Sequence, residues 1–144
     1  MRSGTEAAAT RGTPEPATSR LAQALARGEF VATAEMTPPV ATEIGEFVGR
    51  ALPLRDVATA VNGTDGAGAK AHLSALVAAQ ALQQARIEPI LQMTCRDRNR
   101  IALQSDLLGA MALGIQNLLL LSGDDPKAGD QPDAKPVFDL DGRG

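Results

Sequence analysis

A glutamate at the end of an apolar segment is the residue of this sequence best suited to acid–base chemistry. Glu35 closes the strand-like segment 30–35 (FVATAE), and the pair Pro38-Pro39 stiffens the chain just after it. A carboxyl group held at such a strand end can donate a proton to a bound substrate. The alternative is a solvent-exposed glutamate at the edge of a sheet.

A second candidate carboxyl group, Asp124, follows a different apolar segment, residues 117–121 (NLLLL). It comes directly after Gly123, and a glycine lets the backbone approach a ligand closely. In parallel α/β proteins the functional side chains gather where strands end and lead into helices. We therefore expect Glu35 and Asp124 at one edge of a sheet. The alternative is that Asp124 or its neighbour Asp125 caps a turn.

A glycine-rich loop, residues 62–68 (NGTDGAG), separates a strand-like segment from a helical pattern. Backbone N–H groups of such a loop can hold a phosphate or a flat cofactor. The glycines at 63, 66 and 68 fit neither the G-x-G-x-x-G spacing nor a Walker A loop, so this signal is weak on its own.

Three alternating arginines, Arg96, Arg98 and Arg100, stand at the start of a helical pattern. An arginine run can meet an anionic ligand. More often it forms a solvent-exposed face or pairs with nearby acids, here Asp97 and Asp106. Exposure or ion pairing is therefore the expectation for this cluster.

The single histidine and the single cysteine indicate neither a metal site nor a nucleophile. His72 falls inside a predicted helix, and the sequence offers it no partner at metal-ligand spacing. Cys95 has no nearby histidine in the sequence to activate it and cannot form an internal disulfide. We expect no bound metal, and a reducing cytoplasmic location.

Composition excludes several classes of protein. The net charge of −3 argues against a general nucleic-acid partner. The absence of Trp and Tyr argues against a site built on aromatic stacking. The longest apolar run, residues 118–121, is far shorter than the roughly 20 residues of a membrane span, so no membrane partner is expected.

Strand-like segments alternate with helical patterns along the chain, at a spacing of about 30 residues that is typical of βα units. The predicted strands are residues 30–35, 57–61, 89–94 and 117–121. The predicted helices are a short one capped by Ser19 and three longer ones at residues 41–52, 68–86 and 99–113. This alternation predicts an α/β fold with a parallel sheet.

Length and composition divide the chain into a tail and one domain. Residues 1–18 contain no Leu, Ile, Val or Phe, which predicts a disordered N-terminal tail, with a transit peptide as the alternative. Residues 19–144 form the predicted domain. A complete (β/α)₈ barrel needs about 250 residues, so this domain has room for about half of one.

The residues at the predicted strand ends resemble the methylenetetrahydrofolate reductase family. The resemblance covers the chain from about residue 28 onward and is carried by residues 34–39 (AEMTPP), 62–65 (NGTD), 88–100 (EPILQMTCRDRNR), 121–124 (LSGD) and 135–141 (KPVFDLD). It implies a partial (β/α)₈ TIM barrel made of about four N-terminal βα units.

The resemblance also implies an activity. Members bind FAD at the carboxyl ends of the strands and reduce 5,10-methylenetetrahydrofolate to 5-methyltetrahydrofolate with NADH or NADPH, in one-carbon and methionine metabolism. Glu35 matches the general acid that protonates the folate as its ring opens, and Asp124 matches an aspartate between flavin and folate. The implied flavin-binding positions are Thr64, Asp65, Ala67, Gln92, Ser122, Gly123, Asp124, Phe138 and Asp139.

The sequence departs from the family pattern at three positions. Gln92 stands where many members have histidine, Ser122 where many have arginine, and Gly63 where a β-branched residue is usual. A flavin-dependent oxidoreductase is the first interpretation. The alternative is a catalytically inactive fragment, or a half barrel that needs a partner chain, because open apolar sheet edges promote association. That partner would be a second copy or a complementing C-terminal half.

Overall fold

The computed structural model of the chain describes residues 19–143. In this part of the chain helices and strands alternate as the sequence predicts. The elements are α1 (Arg20–Ala26), β1 (Thr33–Met36), α2 (Ile44–Ala51), β2 (Ala60–Gly63), α3 (Ala75–Gln84), β3 (Pro89–Thr94), α4 (Arg100–Ala112) and β4 (Leu118–Leu121). The predicted disordered tail, residues 1–18, lies outside the described residues.

The four strands form one parallel sheet in the order β1-β2-β3-β4. Glu35 lies opposite Asn62 on the neighbouring strand, and Gln92 lies opposite Leu119. Because all strands run in the same direction, their carboxyl ends meet at one edge of the sheet. The predicted α/β class and the parallel sheet are confirmed.

One face of the sheet packs against helices and forms the core. Beneath α2 and α3 a cluster forms around Phe47, Val61 and Leu82, all of which are fully buried. A second cluster, around Leu91 and Met93, packs beneath α3 and α4. Alanines fill the helix side of both clusters, so the helices can approach the strands closely. The opposite face of the sheet carries the polar side chains that approach the functional site.

Strands β1 and β2 begin later than the apolar pattern predicts. The strand predicted from residue 30 starts at Thr33, and Phe30 is 95% exposed. The strand predicted from residue 57 starts at Ala60. The backbone before β2 is instead bound to the 3₁₀ turn Leu52–Leu54. The Val57 N–H donates a hydrogen bond to the Leu54 carbonyl (3.2 Å).

Helix α3 also begins later than predicted, at Ala75 rather than residue 68. Gly66 and Gly68 have φ values of 62° and 64°, a left-handed conformation that does not continue into an α-helix. His72 therefore lies in the loop before α3, where its Nδ1 donates a hydrogen bond to the Pro38 carbonyl (2.9 Å). Its placement inside a helix was wrong.

The predicted helix ends are confirmed where capping residues mark them. Ser19 Oγ accepts a hydrogen bond from the Ala22 N–H (3.0 Å) at the start of α1. Asn99 caps α4 in the same way, with Oδ1 accepting from two backbone N–H groups. Gly114 follows α4 with φ 77°, as expected for a glycine that ends a helix.

Strand β4 forms one edge of the sheet and carries exposed leucines on both faces. Leu118, Leu119 and Leu120 retain 42%, 40% and 52% exposure, although successive side chains of a strand point to opposite faces. Within residues 19–143 no helix is both long and apolar enough to cross a membrane.

Candidate functional site

A polar cleft of about 320 Å³ opens at the carboxyl ends of the four strands. It brings together both predicted acid–base carboxyl groups and every predicted flavin contact except Phe138 and Asp139. The lining residues are Glu35, Thr64, Asp65, Ala67, Gln92, Thr94, Leu121, Ser122, Gly123 and Asp124. The volume lies at the lower end of the roughly 300–1,000 Å³ usual for small-molecule sites.

The two oxygens of the Glu35 carboxyl group have different surroundings. Oε2 accepts hydrogen bonds from the side-chain amides of Asn62 (2.8 Å) and Gln92 (3.2 Å). Oε1 accepts no hydrogen bond from residues 19–143. One oxygen thus fixes the orientation of the group, and the other is left to exchange a proton with a ligand.

Gln92 connects Glu35 to the loop after β2. While its Nε2 donates to Glu35, its Oε1 accepts a hydrogen bond from the Asp65 N–H (3.2 Å). The Gln92 side chain is buried, whereas Glu35 is exposed at the end of β1, as the alternative of a solvent-exposed glutamate expected. The glutamine therefore links the Glu35 carboxyl group to the loop after β2 in a fixed geometry.

The Asp65 carboxylate holds the site together rather than facing open space. Its Oδ2 accepts hydrogen bonds from the backbone N–H (2.9 Å) and hydroxyl (3.1 Å) of Thr94, and it forms an ion pair with Arg98. Arg98 also contacts Asp106 (2.8 Å). Burial lowers the pKa of Arg98, but the hydrogen bond that Arg98 donates to Asp65 and the charges of Asp65 and Asp106 outweigh it, so the pKa is raised. A direct flavin contact of Asp65 stays a prediction.

Asp124 joins the loop after β4 to the loop after β2. Its Oδ2 accepts a hydrogen bond from the Gly68 N–H (2.9 Å). The 3₁₀ turn Pro126–Ala128 is capped by Asp125 instead, whose Oδ1 accepts from the Lys127 N–H (3.0 Å). The capping alternative therefore applies to Asp125, and the Asp124 carboxylate lines the cleft.

The arginine cluster pairs with acids, as predicted. Arg96 donates to both oxygens of Asp97 (2.8 and 2.7 Å), and this contact raises the pKa of Arg96 and lowers that of Asp97. Of the two alternatives expected, exposure or ion pairing, Arg96 shows ion pairing, since it is only 5% exposed. Backbone carbonyl groups of two neighbouring loops compensate its burial, and no pattern in the sequence marks them.

Phe138 and Asp139 lie away from the cleft. Phe138 adopts a positive φ of 42° and lines a separate depression with residues 125–127 and 132–136. Asp139 accepts hydrogen bonds from the guanidinium and the backbone N–H of Arg100 (2.8–2.9 Å), which hold the pKa of its carboxyl group well below the ordinary value. Flavin contacts at these two positions stay predictions.

Asn62 and Thr94 belong to the site although sequence reasoning did not assign them a role. Asn62 orients Glu35, and Thr94 both lines the cleft and binds Asp65. Strand alternation could have indicated Thr94, because it stands two residues after Gln92 and so shares its face. The role of Asn62 depends on the register between β1 and β2, which a single sequence does not show.

Comparison with known proteins places the chain in a family. A family model described as methylenetetrahydrofolate reductase matches residues 20–141, which is nearly all of the described chain. No curated protein matches the sequence significantly. The matched region contains the whole cleft and its supporting hydrogen bonds. The chain therefore belongs to the methylenetetrahydrofolate reductase family of oxidoreductases.

Proposed function

We propose that residues 19–144 form four N-terminal βα units of a (β/α)₈ barrel that reduces 5,10-methylenetetrahydrofolate to 5-methyltetrahydrofolate, with FAD as cofactor and NAD(P)H as reductant. The observation that carries this proposal is that Glu35 and Asp124, from β1 and the loop after β4, line one cleft in a chain of this family. Reduction of a folate in such a cleft needs a proton donor and a negative charge near the reacting carbon.

In this proposal Glu35 donates the proton. The nitrogen that leaves when the folate ring opens requires protonation, and Oε1 of Glu35 is the oxygen that can supply it. The amides of Asn62 and Gln92 hold the carboxyl group in one orientation, so the proton is presented from a fixed position. The Asp124 carboxylate stabilises positive charge that develops on the one-carbon unit of the folate.

The residues lining the cleft fit a flavin. The Thr64 hydroxyl oxygen is buried and has no hydrogen-bond partner within residues 19–143, so it is available to a ligand with polar edges. Gly68 does not line the cleft but binds Asp124 there, and an added side chain at Gly68 would meet open space, so a flat ring can approach the backbone. Thr64, Ala67 and Gln92 would hold the cofactor together with residues 122–124. When bound, the flavin supplies the hydride.

Reconstitution and an activity assay test the proposed function directly. The purified chain is titrated with FAD, and NAD(P)H-driven reduction of methylenetetrahydrofolate is followed. We expect a bound flavin spectrum and turnover, either from the chain alone or after addition of a complementing C-terminal half. Absence of flavin binding under both conditions contradicts the proposal.

A second candidate function, a half barrel that is active only with a partner chain, is favoured by the edge strand β4. Its leucines are exposed on both faces, whereas strands inside a barrel are covered on both. A second copy or a complementing C-terminal half would cover them. Sedimentation of the purified chain separates these cases from an independent monomer.

A further inference from the structure

A buried arginine, Arg96, binds the loops that form the cleft but does not line the cleft itself. Arg96 stands two residues after the end of β3, lies between the loops after β2 and β4, and is only 5% exposed. Burial of a charged side chain is costly unless its donors are all satisfied. The partners that satisfy them therefore indicate what this side chain does.

Every nitrogen of the Arg96 guanidinium has a partner. Nε and Nη2 donate to the two oxygens of Asp97 at 2.8 and 2.7 Å. Nη1 donates to the backbone carbonyls of Gly66 (3.3 Å) and Asp124 (3.4 Å). One side chain thus contacts the loops after both neighbouring strands.

Glycines in those two loops allow this contact. Gly66 has φ 62°, and a Cβ atom built on it would overlap Nη2 of Arg96. Gly123 has φ 96°, and its Cβ atom would lie 2.9 Å from the Cβ atom of Arg96. The loops can close over the arginine only because neither position carries a side chain.

A further hydrogen bond closes the arrangement into a ring. The Asp124 carboxylate accepts from the Gly68 N–H (2.9 Å), two residues beyond the carbonyl that Arg96 binds. Arg96 therefore binds the backbone carbonyl of Asp124, and the side chain of Asp124 binds the glycine-rich loop. Displacement of the arginine should loosen both loops together.

We propose that Arg96 is a positioning residue of the reductase site, which fixes the Asp124 carboxylate and the 66–68 loop where the cofactor and substrate bind. This inference rests on the proposed function. In this role Arg96 acts by holding Asp124 and the 66–68 loop in place, and it does not itself contact the ligand.

The test compares Arg96→Lys, which keeps the charge but lacks the forked donors, with Arg27→Lys as a matched control. Arg27 forms an exposed ion pair with Glu29, and neither residue lines the cleft. Amide hydrogen exchange is followed by NMR on the flavin-free chain, and FAD affinity by fluorescence titration. In Arg96→Lys we expect Gly68 to exchange about tenfold faster and FAD to bind about tenfold more weakly, the effect of one lost charge-assisted hydrogen bond. The amides of β3 and the control variant should not change.

Unchanged Gly68 exchange in a folded Arg96→Lys chain overturns the proposal. If that variant does not fold, Asp97→Asn replaces it, because it removes the carboxylate that orients Arg96 and leaves the arginine in place. Faster Gly68 exchange is then expected, and its absence overturns the proposal equally. If the wild-type chain fails to bind FAD, the proposed function fails, but the exchange of Gly68 still decides the role of Arg96.

Discussion

At the residue scale, the different hydrogen bonding of the two oxygens of Glu35 decides what this carboxyl group can do. Two amide groups hold Oε2, so rotation of the carboxyl group is restricted. A glutamine at this position keeps the shape and can still accept a hydrogen bond through its carbonyl oxygen. It cannot donate the proton that ring opening requires.

The variant Glu35→Gln therefore separates binding from protonation. We expect folate reduction to fall by about 10²- to 10⁴-fold, the usual contribution of a general acid, while FAD binding and its reduction by NAD(P)H are retained. Glu43→Gln, an exposed glutamate outside the cleft, is the control. The role of Glu35 is refuted if both variants reduce folate at the wild-type rate.

The buried hydroxyl group of Thr64 makes a second prediction at this scale. Because its oxygen is buried and has no partner among the described residues, Thr64→Val should not lower the free energy of unfolding. FAD affinity should fall by about three- to tenfold, the value of one hydrogen bond. Thermal unfolding and flavin titration measure the two effects, with Thr42→Val as control, since the Thr42 hydroxyl is exposed and contacts only the neighbouring Glu43 among the described residues. Equal FAD affinity in both variants would show that the hydroxyl group does not contact the cofactor.

At the scale of elements, sequence patterns predicted which segments are strands and helices better than where they begin. β3 was predicted at its observed bounds because residues 89–94 are bounded by a proline and a polar loop. β1 and β2 were predicted to begin too early, at the apolar residues Phe30 and Val57. Both residues are exposed, which a single sequence does not show. The cleft could be predicted because parallel strands end at one edge. The burial of Arg96 could not, because its carbonyl partners belong to distant loops.

The segment after β4 is attached to α4 by the ion pair between Asp139 and Arg100. The Val137 N–H, two residues earlier, donates to the Arg96 carbonyl (2.7 Å). Asp139→Asn should therefore increase amide exchange at Val137 and leave the exchange of β3 unchanged. Asp141→Asn is the control, since within residues 19–143 its carboxylate contacts only the nearby Arg143 N–H. Equal exchange at Val137 in both variants would show that the ion pair does not hold the segment.

The same ion pair makes a pH prediction with a definite sign. Hydrogen bonds from Arg100 lower the pKa of Asp139 below its ordinary value of 3.8. The contact should therefore persist at all pH values above the ordinary one and be lost only as the pH falls through the lower value of the folded chain. The NMR signal of the Arg100 Nε–H group, followed from neutral to strongly acid pH, measures this. A transition centred at the ordinary value contradicts it.

At the scale of the whole molecule, the sheet is covered by helices on one face and remains open on the other and at β4. An open edge with exposed leucines is a template for pairing with another chain. Closure of a barrel would place such a strand beside a further parallel strand and bury its leucines. Closure at β4 would also enclose the cleft, because the cleft lies on the open face of the sheet.

Association through β4 is the last prediction. Leu120→Lys places a charge on the edge strand, and we expect it to weaken self-association, or binding of a complementing half, at least tenfold, since an unpaired charge would be buried. Leu108→Lys, on an exposed face of α4, is the matched control. Sedimentation across a range of concentrations measures self-association, and titration with the complementing half measures the second case. If the wild-type chain stays monomeric and binds no complementing half, then β4 is not an assembly edge, and any activity must come from the four βα units alone.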